Sequence, residues 1–372
     1  MKRKWLIAAG MLLSFALTTH AQDKNFHIYL CIGQSNMVGA AKVQPADSVV
    51  DARFQSLNAV NDQDRTMGTW RKAVPPLCRR YAGIGPTDFF GRQMVKVLPE
   101  KVRVGVVHVA VNGCASDLFH KNLYQDYVKN VTADWMKKEI EFYNGNPRQR
   151  LLDMARQAQK EGVIKGILYH QGETDAWNEG WLDKMKFIYQ DILSELHLDA
   201  KQVPLLVGEV VGNDQHGVCA GANKMIDRIQ EVIPTAHVIS SYGCQVGPDN
   251  LHFAHEGYEE LGKRYALKML SLEGYQVDAS AASIATAKSE GASFKLTATL
   301  KGNKAIVTSD QPLKSLEVVS FSGHAVRQLT LKGEKKVEVN LKGLKEPVLV
   351  FVGTAVNGAK ETYKIYMEKG KQ

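Results

Sequence analysis

The sequence predicts an α/β domain built on a parallel, doubly wound sheet, followed by a small antiparallel β-sandwich. Three observations carry this. From residue 26 to about 271, short apolar runs alternate with helix-like segments, the order of a parallel sheet with right-handed crossovers. The apolar runs are rich in Val and Ile and mostly uninterrupted, as strands covered on both faces read. Near residue 273 the pattern turns small and polar. It then becomes short alternating runs separated by turn residues about every eight to twelve positions, as in a sandwich.

The chain has 372 residues, 44% hydrophobic and 23% charged, an ordinary globular composition for about two domains. Its first segment reads as a leader rather than as fold. "MKRK" is basic, "WLIAAGMLLSFAL" is apolar, and Thr19 and Ala21 occupy the −3 and −1 positions of a signal-peptidase site. The apolar run is too short to span a bilayer and suits a secretory leader. Residues 1–21 are therefore expected to be a signal peptide, with export to the periplasm or outside, no lipid anchor at the cleavage point and no membrane span later. Cleavage removes Lys2, Arg3 and Lys4 and no acid, lowering the net charge by three from +8 to +5. The remaining lysines are scattered without interleaved aromatics, so no nucleic-acid surface is expected.

The elements follow in order. Residues 26–33 (FHIYLCIG) form the first strand, and Cys31 within it reads as a small buried hydrophobe. Residues 42–85 have no clear period and read as a long surface segment that sets specificity. A helix runs over 87–98, with Thr87 as its cap and Phe90, Met94, Val97 and Leu98 on one face. Strands follow at 102–111, 163–170, 204–211 and 236–241, and helices at 123–143, 148–161, 180–196, 221–232 and 255–271. Residues 22–272 thus make one domain, 273–290 a linker, and 291–372 the β-sandwich, in which no catalytic cluster stands out. The five cysteines show no metal-ligand spacing. Cys219 with Cys244 is a candidate disulfide.

Candidate chemistry gathers at the strand ends, where sites form in such sheets. The first strand stops at Gly33 and runs into Gln34, Ser35 and Asn36. That is either an ordinary turn or a nucleophile held at the end of a strand. A serine nucleophile needs a base and a group that orients the base. In "PDNLHFAHEGY", Asp249 stands three residues before His252, a spacing that puts both side chains on one face of a turn. A helix-entry Asp capping its own turn reads the same way. Oxyanion donors are offered by the N–H groups of Ser35 and Gly113 and by the Gln171 side chain. Gln34, Asn36, Asn112, Glu173 and Asp175 are supporting or substrate-binding candidates. Trp177 and Trp70 can stack on a sugar or simply pack.

Four blocks, "IGQSNMVG", "VNGCASDLF", "YHQGETDA" and "DNLHF", resemble those of the SGNH hydrolases. More narrowly, they resemble the sialate O-acetylesterase and carbohydrate esterase family 6 group, whose nucleophile motif reads GQSNM and whose third block reads QGE-x-D. The resemblance covers about residues 25–271. It implies a flavodoxin-like three-layer fold, no metal or other cofactor, and removal of acetyl groups from an acetylated carbohydrate. In the wider superfamily the third block supplies an Asn to the oxyanion hole, and here Gln171 stands in that region. The combined expectation is a Ser35–His252–Asp249 esterase. The rivals are a non-catalytic glycan-binding protein on a hydrolase fold and a small-acyl lipase or thioesterase.

Overall fold

The computed structural model describes residues 22–275, 294–320, 325–344 and 348–366. The expected leader and the greater part of the expected linker lie outside the described residues. Seven strands form the first sheet: β1 (Asp23–Gly33), β2 (Phe54–Leu57), β3 (Trp70–Lys72), β4 (Arg103–Ala110), β5 (Gly162–His170), β6 (Leu205–Gly208) and β7 (Ala236–Ile239). Their spatial order is β3-β2-β4-β1-β5-β6-β7. Every neighbouring pair is parallel except β2–β3. The sheet is therefore mixed at one edge, and the two outermost strands on that side, β2 and β3, come from residues 42–85, where no strand is expected. They are too short to display a period.

Without β2 and β3, the order is the doubly wound one in which the connections reverse direction between the first and third strands. Here those strands are β1 and β5, and the gap between them is where a ligand crevice opens. Side chains of β1 alternate between two cores. Ile28, Leu30 and Ile32 pack toward α5 (Pro147–Gln159) and α6 (Trp181–Leu196). Tyr29 and Cys31 pack toward α2 (Pro86–Val97) and α9 (His255–Leu272). Each large apolar side chain so buried contributes about 1.5–3 kcal/mol. The three-layer expectation is met.

Several local expectations are corrected. Thr87 does not cap α2; its buried hydroxyl donates to the sulfur of Met37 at 3.2 Å. The cap is Gly85, with Pro86 at the first helical position and the Gly85 N–H donating to Asp88 at 3.2 Å. The helix expected over 123–143 is two, α3 (Tyr124–Asn130) and α4 (Asp134–Glu141). Between them Val131 and Ala133 are extended, at a run of poor helix formers, Asn130, Val131 and Thr132. The one expected over 221–232 is likewise divided into α7 (Asn223–Ile226) and α8 (Ile229–Val232). All five cysteines are free thiols, so Cys219 and Cys244 do not pair. Cys244 is fully buried.

The short alternating runs expected in the C-terminal region are strands, β8 (Leu296–Lys301), β9 (Lys304–Ser309), β10 (Leu313–Ser320), β11 (Ala325–Thr330), β12 (Lys336–Asn340), β13 (Val348–Ala355) and β14 (Lys360–Tyr366). They form antiparallel sheets of order β11-β10-β13-β14 and β12-β9-β8. Leu296 and Val307 from one sheet and Leu316 and Phe351 from the other share one core. Among the described residues no helix is long and apolar enough to cross a membrane.

Candidate active site

At the carboxyl end of β1 the chain must turn in very little space. A Cβ on Gly33 would lie 2.0 Å from the carbonyl oxygen of His170 on neighbouring β5, so no side chain fits. The next residues are held to both neighbouring strands. Gln34 N–H donates to His170 O at 3.0 Å, and Val111 N–H donates to Gly33 O at 3.1 Å. Ser35 then begins α1 (Ser35–Val38) at the mouth of a cleft of about 590 Å³.

His252 reaches the same point from the other end of the domain. Its loop is closed by the Val246–Phe253 bridge and by Gly247 N–H donating to His252 O at 2.7 Å. Asp249 accepts hydrogen bonds from the N–H groups of Leu251 (3.0 Å) and His252 (2.9 Å) through Oδ1. Its Oδ2 lies 2.6 Å from His252 Nδ1. A carboxylate only accepts, so Nδ1 carries the proton and Nε2 presents its lone pair. Ser35 Oγ donates to that Nε2 at 2.8 Å. Burial alone would raise the Asp249 pKa; the amide donors and the imidazole outweigh it and hold the carboxyl at about 2. This chain can take a proton from the serine hydroxyl and stabilise the imidazolium that forms.

Beneath the rim, Asn36 grips the His252 loop on both sides. Its Nδ2 donates to Leu251 O at 3.0 Å, and its Oδ1 accepts from Phe253 N–H at 3.3 Å. The residue after the serine thus holds the backbone immediately before and after the histidine. Tyr258 donates to the same Oδ1 at 2.6 Å, and Asn36 Nδ2 also donates to Glu173. Glu173 lines the cleft from below, and burial pushes its pKa up.

Gly113 lines the cleft at φ +65°, a conformation that favours glycine. Among the described residues, neither its N–H nor that of Ser35 has a hydrogen-bond partner. Asn112 also lines the cleft, and its N–H donates to Glu139 at 3.3 Å. Gln171 departs from expectation. Its amide is fully buried, accepts from Trp181 Nε1 at 2.9 Å, and donates to Cys114 O at 3.4 Å and to Asp175. With both ends committed outside the cleft, it is no oxyanion donor. Asp175 is buried too, accepting from Ser116 N–H (2.8 Å) and Asn178 (3.1 Å), so it braces loops.

The amide that faces the cleft is Gln34. Thr174 N–H donates to its Oε1 at 3.2 Å, which orients the group and leaves Nε2 as the free donor end, with no partner among the described residues. The two tryptophans also change places with a third. Trp70 packs on Phe26 at 4.7 Å and donates to Glu161 at 3.1 Å, at the opposite, amino-terminal end of the strands. Trp177 is 87% exposed and outside the cleft lining. Trp135, 55% exposed on α4, and Tyr81, 77% exposed in the 42–85 segment, do line it. The available signal was that Trp135 lies off the buried Met136–Ile140 stripe of its own helix. Tyr81 sits where the sequence has no period to place it. Among the described residues, no cluster of three or more His, Cys, Asp or Glu side chains is arranged to hold a metal ion.

Residues 25–271 match the family model for carbohydrate esterase, sialic acid-specific acetylesterase. Similar solved structures include a protein from Arabidopsis thaliana, 20% identical, with a TM-score of 0.50, covering 67% of this chain and 99% of that one. A carbohydrate acetylesterase from Xanthomonas citri is 16% identical with a TM-score of 0.51, covering 91% and 80%. NanS is 12% identical with a TM-score of 0.50, covering 68% and 99%. At these identities the structures establish a shared fold. The family match identifies the chain as a member of the carbohydrate esterase, sialic acid-specific acetylesterase family, and hence a carboxylic ester hydrolase.

Proposed function

We propose that this esterase removes O-acetyl groups from sugars by a Ser-His-Asp mechanism through an acetyl-enzyme. Ser35 Oγ attacks the acetyl carbonyl carbon while its proton passes to His252 Nε2. Asp249 holds the imidazole in the required tautomer and balances its charge. The carbonyl oxygen, now an oxyanion, accepts from the N–H groups of Ser35 and Gly113 and from Gln34 Nε2. Collapse breaks the bond to the sugar oxygen, which leaves with the proton from His252. Water then attacks the acetyl-serine by the same route and releases acetate.

The observation that carries this reading is the unbroken chain from Ser35 Oγ to His252 Nε2 at 2.8 Å and from Nδ1 to Asp249 at 2.6 Å, opening on one cleft. A glycan-binding protein would have no use for that alignment. The leader expected over residues 1–21 belongs to the same proposal and puts the activity in the periplasm or outside the cell.

The test is acetate release from a panel of acetylated glycans beside 4-nitrophenyl acetate. Ser35→Ala is expected to lower turnover on the order of 10⁶-fold. A Ser35→Ala protein that cleaves 4-nitrophenyl acetate at the wild-type rate would end the proposal. A chain-length series of nitrophenyl esters separates it from a lipase: acetyl is expected to exceed longer acyl groups.

A further inference from the structure

Part of the cleft takes no part in the chemistry described above, and its composition is informative. Trp135 and Tyr81 are the large exposed aromatic side chains on its wall. Exposed aromatic surface rimmed by polar groups is characteristic of ligand grooves. Trp135 is also tightly located. A Cβ on Gly113 would stand 2.7 Å from Trp135 Cη2, so the indole lies directly against the backbone proposed to hold the oxyanion.

The polar groups on the same wall are neutral amides and hydroxyls, among them Asn112 and Thr174. The ionisable carboxylate and imidazole of the lining are Glu173 and His252. Asp249 stands behind His252, its side chain 49% exposed and ionised above a pH of about 2. Among the described residues of the lining there is no Lys or Arg. The two arginines preceding Tyr81 are committed elsewhere. Arg79 is buried against Glu139 and Ala110 O, and Arg80 reaches toward Asp64 at 3.5 Å.

We propose that the cleft selects electrically neutral acetylated sugars, with the sugar ring seated on Trp135, and discriminates against sugars bearing a carboxylate. The inference rests on the acetylesterase reading above and sharpens it. An acetyl carbonyl held at Gly113 brings the attached pyranose beside the indole, whose apolar face suits the C–H face of the sugar. The sugar hydroxyls meet neutral donors and acceptors. A sugar carboxylate entering the same space sheds water without gaining a cation and feels the charge of Asp249. The family's description names sialic acid, and the lining of this member points to a different substrate charge.

The test uses the full chain and four probes: 4-nitrophenyl acetate, an O-acetylated xylo-oligosaccharide, O-acetylated N-acetylneuraminic acid, and the methyl amide of that acid. At low ionic strength, kcat/KM for the xylo-oligosaccharide is expected to exceed that for the free acid by about tenfold or more. The methyl amide, which differs in charge, should recover several-fold, and added salt should narrow the gap by screening. Trp135→Ala should raise KM for the xylo-oligosaccharide about tenfold, with Trp135→Phe recovering most of the loss.

Equal or better turnover of the free acid overturns the inference, as does a Trp135→Ala KM within twofold of wild type. These outcomes, with 4-nitrophenyl acetate still cleaved in a Ser35-dependent way, leave the esterase mechanism standing. Ser35-dependent cleavage of that ester with neither sugar deacetylated removes the sugar reading and this inference together. Loss of Ser35 dependence removes the mechanism as well.

Discussion

The rim of the site and the layer directly beneath it are built on opposite terms. At the rim, Asp249 and His252 are partly open to solvent, with side chains 49% and 26% exposed. One layer down, Asn36, Gln171 and Asp175 are buried and hydrogen-bonded at both polar ends, Asn36 to the His252 loop, Asp175 to Ser116, and Gln171 to Trp181, Cys114 and Asp175. In the proposed mechanism the rim holds the imidazole that takes and returns a proton and the carboxylate that stays ionised beside it, so both are open to the cleft. In the lower layer Asn36, Gln171 and Asp175 fix position, so they are buried and paired. The difference teaches that position at this site is determined mainly from below.

The largest effect should appear at the rim. If Ser35 and His252 act as a unit, the Ser35→Ala/His252→Ala double variant should lose no more kcat than either single variant, on the order of 10⁶-fold each. Additive losses in 4-nitrophenyl acetate turnover would mean the two residues work independently. Next come the two glutamines, which straddle the layers. Gln34→Ala should lower kcat by about 10²–10³-fold as a lost oxyanion donor. Gln171→Ala should cost about 1–3 kcal/mol of stability by leaving buried partners unpaired, with less than about a tenfold change in kcat. The reverse pattern in kcat and urea midpoints would return the donor role to Gln171.

Asn36→Ala tests the lower layer directly. Releasing both sides of the His252 loop should reduce kcat about 10²-fold through misplacement of the imidazole, and reduce stability by about 1–3 kcal/mol. An Asn36→Ala protein with wild-type kcat would break the contrast between the layers. The smallest effect is in pH-dependent stability. Burial pushes His170 down to about 3, against an unfolded value of about 6.5. Between those values the unfolded chain binds a proton that the folded one does not, so stability falls as pH drops through that window. The slope is up to about 1.4 kcal/mol per pH unit for this group. Asp88, pushed up to about 7 by burial, acts with the opposite sign, losing stability as pH rises toward 7. The measurement is therefore a difference: His170→Asn should remove the His170 share of the slope between pH 6 and pH 4.

Much of the architecture was legible because its signals are local. The uninterrupted apolar runs of β1, β4 and β5 state that both faces are covered, and the alternating runs of β8 to β14 state that one face is. The short strands β2 and β3 were not legible, since four- and three-residue segments carry no measurable period. The division of 123–143 into two helices was only half visible, because Asn130, Val131 and Thr132 weaken a helix without forbidding one. At the site, the residue types and their order were readable at Ser35, Gly113, Asp249 and His252, because a nucleophile, its base and a flexible glycine have distinctive chemistry and spacing.

What the sequence determined by itself was therefore the layering of the fold and the presence of a serine, an imidazole and a carboxylate at element ends. Tertiary structure alone decided which amide and which indole face the cleft. Gln34 and Gln171 both follow core strands, and each is a single amide with two ends. Thr174 N–H turns the donor end of one toward the open space, while Trp181, Cys114 and Asp175 use up the other. Trp70, Trp135 and Trp177 differ in the same way. A side chain's direction is set by the partners that reach it, and which partners do so, whether Thr174 for Gln34 or Trp181 and Cys114 for Gln171, is fixed only by the folded arrangement.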